Sequence, residues 1–260
     1  MQNLILRHIQ YTQLDSITWC ATADVSSLQP PILRNRLYLL SYPLVPYTPH
    51  AYHNNLDDFY WQYAINQISL TPREKPQNKR QQQREGVRLL LQNLLTKIGI
   101  TDTLDESKFP YQLVNSGYYV CFSHSGGHHT NADSLNSKVA VIISGSRAVG
   151  IDIETQDVEW HVAQRFYHPS EISILETLPM LEQTIVSKRL WQIKESFIKI
   201  HQYKLAQGLG MNYAPLISDI AISFEQHNHS FIFTQNHEAE DKRFEYKVVF
   251  LSVQQTIVIF

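Results

Sequence analysis

The residues 149–154 constrain the fold more than any other part of the sequence, because their apolar and polar side chains alternate strictly. A period of two is that of a β-strand, in which successive side chains point to opposite faces of the sheet. The apolar residues therefore face a core, and Asp152 and Glu154 share the opposite face. By the rise of a strand, these carboxylates lie about 7 Å apart, where they repel each other unless a cation lies between them. The same pattern also fits an ordinary amphipathic strand with one wet face.

A predicted helix over about residues 182–201 carries the next carboxylate of interest. Its buried stripe consists of the apolar residues Leu190, Ile193, Phe197 and Ile200. On an adjoining face, Trp191, Glu195 and Lys199 follow one another at intervals of four residues, so they line up along the helix. Taken alone, Glu195 and Lys199 also fit a solvent-side ion pair that contributes only about a few tenths of a kcal/mol.

A convergence of the strand and helix carboxylates would make a metal site. Asp152, Glu154 and Glu195 together would offer oxygen ligands to a hard divalent cation. Magnesium suits such a site, because it keeps part of its water and shares its coordination with substrate phosphates. Zinc is disfavoured, because neither cysteines nor a well-spaced pair of histidines accompany the carboxylates.

Residues 72–97 carry a local excess of positive charge, with seven basic residues against two acidic ones. The segment from residue 78 to residue 98 has helical spacing, and Arg80, Arg84 and Arg88 form one stripe along it. The stripe fits a solvated helix face or a groove for a polyanionic small ligand. Nucleic-acid binding comes third, because no aromatic residues alternate with the basic ones as a platform for stacked bases.

The remaining patterns predict strand–helix–strand order in each half of the chain. Strands are predicted at residues 36–42, 118–122, 139–143, 149–153, 217–225, 231–235, 244–252 and 256–260, with one more within residues 1–35. Residues 139–143 and 149–153 are predicted to form a hairpin, and residues 128–138 an exposed loop. Shorter helices are predicted at residues 57–68 and after residue 168, where Ser170 is the candidate N-cap.

Composition limits the class of protein. The 260 residues are 43% hydrophobic, and a formal net charge of −2 gives no global attraction to nucleic acid or anionic membranes. The two cysteines, Cys20 and Cys121, lie far apart and indicate a reducing cytoplasm rather than a disulfide framework. No signal peptide and no apolar run long enough for a membrane span is visible, so we expect a cytoplasmic protein.

The sequence G-I-D-I-E at residues 150–154, followed about 40 residues later by W-x-x-K-E-S-x-x-K at residues 191–199, resembles a known pair of motifs. It is similar to the signature of 4'-phosphopantetheinyl transferases of the large, single-chain type, which activate peptide-synthetase, siderophore and polyketide carrier proteins. Residues 122–126 resemble the family's S-H-S motif, and residues 165–171 resemble the segment between the acidic motifs. Lys79-Arg80-Gln81, with Arg88, resembles its basic helix, so the resemblance covers about residues 36–260.

The resemblance implies an α+β fold of two pseudosymmetric halves, each a small sheet packed with a long helix, with the active site in the cleft between them. The implied halves are residues 36–146 and 147–260, preceded by an N-terminal extension, residues 1–35, of unknown role. Residues 128–138 would be an insertion. The implied reaction moves 4'-phosphopantetheine from coenzyme A to a serine hydroxyl of an apo acyl, aryl or peptidyl carrier protein, with release of 3',5'-ADP.

The resemblance also implies a role for each candidate site residue. Mg²⁺ would be held by Asp152, Glu154 and Glu195, and the catalytic residues would be Glu195 and Lys199. Coenzyme A would be bound by Arg80, Arg88, Lys108, Ser123 and His124, although Lys108-Phe109-Pro110 matches the family's Gly-Lys-Pro turn only loosely. The expected protein is a monomer whose partners are coenzyme A and the carrier protein, without nucleic acid or membrane.

Three other functions were weighed on the residues alone. A Mg²⁺-dependent nuclease would use the same carboxylates and the basic helix, but it gives no reason for W-x-x-K-E-S. A non-catalytic module that binds coenzyme A or a carrier protein has no need of the full acidic set. Ser123-His124-Ser125 invites a comparison with serine hydrolases, but the G-x-S-x-G elbow is missing. The remaining histidines fit turn positions better than a metal cluster.

Overall fold

A computed structural model describes residues 4–27, 74–126, 137–225, 229–237 and 242–260 of the chain. Within these ranges there are two β-sheets and six α-helices, so the predicted α+β class is confirmed. The predicted strand at residues 36–42 and helix at residues 57–68 lie outside the described residues, as does most of the predicted loop at 128–138. None of the helices in the described ranges is long and apolar enough to cross a membrane.

The first sheet has six antiparallel strands. They are β1 (Leu4–Gln13), β2 (Thr18–Ser27), β3 (Leu104–Asp105), β4 (Tyr111–Leu113), β5 (Tyr119–Gly126) and β6 (Ser137–Ser144). Their order in the sheet is β1-β2-β6-β5-β4-β3. Helix α1 (Glu74–Ile98) packs on one face, where Val87, Leu90, Leu91, Leu94 and Leu95 are buried. This spacing places the apolar residues on one stripe of the helix and leaves the basic residues outside the core.

The second sheet has four antiparallel strands in the order β7-β10-β9-β8. They are β7 (Gly150–Ile153), β8 (Ser230–His237), β9 (Lys242–Leu251) and β10 (Thr256–Ile259). The helices of this part are α2 (Trp160–Phe166), α3 (Pro169–Leu175), α4 (Met180–His201), α5 (Leu205–Leu209) and α6 (Leu216–Glu225). Helix α4 packs on the sheet through a fully buried stripe that includes Leu190, Ile193 and Phe197. Each sheet therefore packs against one long helix, while the pseudosymmetry of two halves remains a prediction.

A third apolar cluster joins the two sheets. Cys121 of β5 and Ile142 of β6 pack with Ile151 of β7 and Val258 of β10. Strand β7 thus lies against β5 without sharing a hydrogen-bonded ladder with it. As a result, the strand with the S-H-S motif faces the strand with the acidic motif.

Two predictions about the strands are wrong. Residues 139–143 and 149–153 do not form a hairpin, because β6 belongs to the first sheet and β7 to the second. Both segments are buried on both faces, and such apolar runs do not reveal which strand they pair with. Residues 1–35 were predicted to hold one strand, but they hold two, β1 and β2, and β2 pairs with β6.

Two predictions about the helices are also wrong. Residues 217–225 form helix α6 instead of a strand, because Leu216, Ile217 and Ile220 bury a helical stripe while Ile222 stays exposed. The N-cap of α3 is His168, not Ser170. The His168 side chain accepts from the Ser170 amide at 3.3 Å, and the Glu171 carboxylate accepts from the His168 amide at 2.9 Å, which completes a capping box.

Candidate active site

Strand β5 divides its side chains between two neighbours. Val120 and Phe122 point to the core beneath α1, while Cys121 points to β7. By the two-residue period of a strand, His124 and Gly126 lie on the α1 side, and Ser123 and Ser125 face β7. The side chains of the S-H-S motif therefore contribute to two surfaces, a basic surface at α1 and an acidic surface at β7.

Asp152 lies at the centre of the acidic surface and is buried, with 3% of its surface exposed. The Ser123 hydroxyl donates to Asp152 Oδ1 at 2.9 Å, and the ammonium of Lys199 lies 3.0 Å from the same oxygen. Lys199 Nζ also donates to the Ile151 carbonyl at 2.7 Å. Because Lys199 is on α4 and Asp152 on β7, this ion pair joins the two elements that carry the motifs.

Glu195 lies one turn before Lys199 on α4 and faces the same place. Its Oε1 accepts from the Trp191 indole N–H at 3.0 Å, and its Oε2 lies 4.0 Å from Lys199 Nζ. Burial and the negative charge of Asp152 raise the pKa of Glu195 to about 7. The structure thus brings together Asp152, Glu195 and Lys199, as expected from the two motifs.

The pair of carboxylates fits a divalent cation. Asp152 Oδ2 is buried and has no hydrogen-bond partner among the described residues. An unsatisfied carboxylate oxygen beside a second carboxylate costs free energy that a bound cation offsets. Mg²⁺ accepts such oxygen ligands, so the residues present fit the predicted metal.

Glu154 is held apart from this pair. Its Oε1 accepts from the Ser125 hydroxyl at 2.9 Å and from the Thr155 amide at 2.9 Å. Over the part of the chain that the structure describes, no group of three or more His, Cys, Asp or Glu side chains is placed to hold a metal ion. Asp152 and Glu195 are thus brought together, and Glu154 points to the turn that follows β7.

The basic surface lies where the first half of α1 crosses the end of β5. Lys79 lies so close to Gly126 that a Cβ there would come within 2.7 Å of the lysine Nζ. Gln83 Nε2 donates to the hydroxyl of Ser137, at the start of β6, at 3.2 Å. Partial desolvation, and then the positive charge of Lys199, lower the pKa of His124, with a further contribution from Arg84. Lys79 and Arg84 thus give the end of the strand a cationic surface, with His124 beside it.

The other predicted coenzyme A ligands lie at different places. Arg80 is exposed on α1, and Lys108 is exposed in the loop between β3 and β4. Arg88 forms a two-pronged ion pair with Glu106, with nitrogen–oxygen distances of 2.7 and 2.8 Å. The Ser123 hydroxyl is directed at Asp152 and Lys199, on the acidic side of β5.

Two contacts were not predicted from the sequence. Ser125, which the sequence marks only as part of the S-H-S motif, holds Glu154 through its hydroxyl. Gln192 of α4 is buried and binds the backbone of β7. A glutamine between a tryptophan and an isoleucine carries no sequence signal for such a role.

Comparison with known proteins agrees with this geometry. A model of the 4'-phosphopantetheinyl transferase superfamily matches residues 148–254, which include β7 and α4. The chain is also 28% identical over 176 residues to 4'-phosphopantetheinyl transferase Sfp of Bacillus subtilis (strain 168), a match covering 66% of this chain and 78% of that protein. The convergence of the two motifs in space thus agrees with a similarity to the 4'-phosphopantetheinyl transferase superfamily over the part of the chain that carries them.

Proposed function

We propose that this chain transfers the 4'-phosphopantetheine group of coenzyme A to a serine hydroxyl of an apo carrier protein in a Mg²⁺-dependent reaction. Similarity to the superfamily and to its Bacillus subtilis member supports the type of reaction. The observation that carries the proposal is the convergence of Asp152, Glu195 and Lys199, with one buried carboxylate oxygen that has no partner among the described residues. We further propose that the protein acts as a cytoplasmic monomer on acyl, aryl or peptidyl carriers, without nucleic acid or membrane.

The reaction needs a base for the carrier serine and neutralisation of the phosphate charge. The serine oxygen attacks the phosphorus that bears the pantetheine, and the bond from this phosphorus to the bridging oxygen of the pyrophosphate breaks. That oxygen leaves with 3',5'-ADP, and the proton of the serine passes to Glu195. Mg²⁺ held by Asp152 and Glu195 would supply positive charge to the pyrophosphate oxygens. Glu154 stays a predicted third ligand, which would first have to leave Ser125 and Thr155.

Lys199 is the cation nearest to both acidic residues. Its ammonium is 3.0 Å from Asp152 Oδ1 and 4.0 Å from Glu195 Oε2. In the free protein it balances Asp152, and with substrate bound the hydrogen that now points to Ser123 can turn to a phosphate oxygen. A fixed cation of this kind stabilises developing negative charge without reorganisation at the moment of reaction.

The cationic surface at the end of β5 is proposed to bind the nucleotide end of coenzyme A. Lys79, Arg84 and His124 lie there together, and guanidinium and ammonium groups suit phosphate oxygens. Arg80 and Lys108 stay predicted phosphate ligands, and Arg88 would first have to leave Glu106. Ser123 lies on the opposite face of β5, and we propose that its hydroxyl holds Asp152 in place through their hydrogen bond.

The test is to incubate the protein with coenzyme A, Mg²⁺ and an apo carrier protein, and to measure the intact mass of the carrier. The expected result is a gain of one phosphopantetheine group, which a carrier without its acceptor serine does not show. Parallel incubation with single- and double-stranded DNA and RNA tests the nuclease alternative. A carrier of unchanged mass that still binds the protein would support the non-catalytic module instead.

A further inference from the structure

A buried amide lies directly behind the acidic strand. Gln192 is on α4, one residue after Trp191 and three before Glu195, and only 3% of its surface is exposed. Its Nε2 donates to the Asp152 carbonyl at 3.3 Å and to the Gln255 carbonyl at 2.9 Å. One side chain therefore links α4 to β7 and to the turn that precedes β10.

The second of these carbonyls extends the contact to Glu154. The Glu154 amide donates to the Gln255 carbonyl at 3.1 Å, so that oxygen accepts from both Glu154 and Gln192. Gln255 has a positive φ of 53° in the turn before β10, a conformation that a residue other than glycine adopts at some cost. Gln192 thus fixes the backbone on both sides of Ile153, directly at Asp152 and through Gln255 at Glu154.

The chemistry of an amide suits this position. A primary amide has two N–H groups, which match the two carbonyl oxygens. It brings no charge close to Asp152 and Glu195, whereas a lysine or arginine would compete as their counter-ion and a carboxylate would repel them. Gln192 can therefore orient the acidic strand without altering the charge of the site.

We infer that Gln192 is a positioning residue, whose amide sets the backbone of the acidic strand so that Asp152 and Glu195 face one another. The inference rests on the proposed transfer reaction. Gln192 is buried and its amide binds the backbone carbonyls of Asp152 and Gln255. Its effect on transfer would pass through the position of Asp152, because small displacements of reacting groups slow catalysis strongly.

The experiment compares Gln192→Met with Gln183→Met in the full-length protein. Gln183 lies on the same helix and also donates its side-chain amide to a carbonyl, that of Leu175 at 3.1 Å, far from the acidic strand. Methionine keeps the length of the side chain and removes its donors. The measurements are the Tm, the kcat, the KM for coenzyme A, the affinity for Mn²⁺ by calorimetry, and hydrogen exchange of the Glu154 amide.

We expect Gln192→Met to lower kcat roughly 10- to 100-fold while the KM for coenzyme A changes by less than about threefold. Mn²⁺ should bind more weakly, and the Glu154 amide should exchange faster, in Gln192→Met only. The inference is overturned if both variants lower the Tm by the same amount and Gln192→Met keeps the wild-type kcat, Mn²⁺ affinity and exchange rate of the Glu154 amide. Gln192 would then be a purely structural residue. If wild type itself transfers nothing, the proposed function fails, while metal affinity and hydrogen exchange still report on the role of Gln192.

Discussion

Replacing Lys199 by methionine should show how much the ion pair between Lys199 and Asp152 stabilises the protein. The change keeps the length of the side chain and removes the ammonium that lies 3.0 Å from Asp152 Oδ1 and 2.7 Å from the Ile151 carbonyl. Asp152 would then keep the Ser123 hydroxyl as its donor but have no cation in contact. The side chain of Asp152 is only 4% exposed, so water cannot take the place of the lost partner.

The size of the effect follows from this burial. Removing one partner of a buried ion pair costs about 3–5 kcal/mol, because it leaves an uncompensated charge. Lys199 is itself 21% exposed, so the lower end, about 3 kcal/mol, is expected. For a protein of this size the Tm falls by about 2–4 °C per kcal/mol, which gives a decrease of roughly 6–12 °C.

A double-mutant cycle with Asp152→Asn separates this effect from lost packing. Thermal unfolding would be measured for wild type, for Lys199→Met, for Asp152→Asn and for the double variant. If Lys199 balances Asp152, the double variant should be more stable than additivity predicts, by about 2 kcal/mol or more. Mg²⁺ should raise the Tm of Lys199→Met more than that of wild type, because it can replace the missing charge. Additive losses, or a Tm of Lys199→Met within about 2 °C of wild type, would refute this reasoning.

Three further results are expected. Gly150→Ala should lower the free energy of unfolding by about 1–3 kcal/mol and slow transfer, because the added Cβ would lie 2.4 Å from the Ser196 carbonyl oxygen. Gly210→Ala, whose added Cβ has its nearest atom at 3.3 Å, should leave the free energy of unfolding, measured by chemical denaturation, nearly unchanged. Arg84→Ala should raise the KM for coenzyme A by roughly 10- to 150-fold, and Arg88→Ala should raise it by less. Equal KM values for the two variants would contradict this prediction. Chelation of divalent cations should abolish transfer and Mg²⁺ should restore it, and full turnover in the chelator would exclude the proposed metal site.

Local sequence patterns were enough to predict many of the helices and strands. The period of 3.6 identified α1 and α4, because each of these helices buries one stripe. The period of two identified β7, whose Ile151 and Ile153 pack into the cluster between the sheets. The same reasoning failed at residues 217–225, where a short apolar run fits a strand as well as a helix, and burial against β8 and α4 decides. It also failed to separate β6 from β7, because strand pairing depends on contacts that are distant in sequence.

The residues of the site likewise divide into those that a local pattern predicts and those that depend on contacts distant in sequence. Asp152, Glu195 and Lys199 could be predicted, because two motifs of fixed spacing present them on one strand and one helix. The contact of Gln192 with Asp152 and that of Ser125 with Glu154 could not, since they join residues 40 and 29 positions apart in the sequence. The ion pair of Arg88 with Glu106 was equally invisible, because it joins a helix to a loop that has no pattern of its own.

The proposed transfer is tested most directly by the intact mass of an apo carrier protein after incubation with coenzyme A, Mg²⁺ and either wild type or Glu195→Gln. Both proteins would be used at equal concentrations of folded protein, as judged by their unfolding curves. The wild type should add one phosphopantetheine group, and Glu195→Gln should do so at least about 100-fold more slowly, because it lacks the group that we propose as the acceptor of the serine proton. Transfer by Glu195→Gln at the wild-type rate, or no transfer by the wild type, would contradict the account.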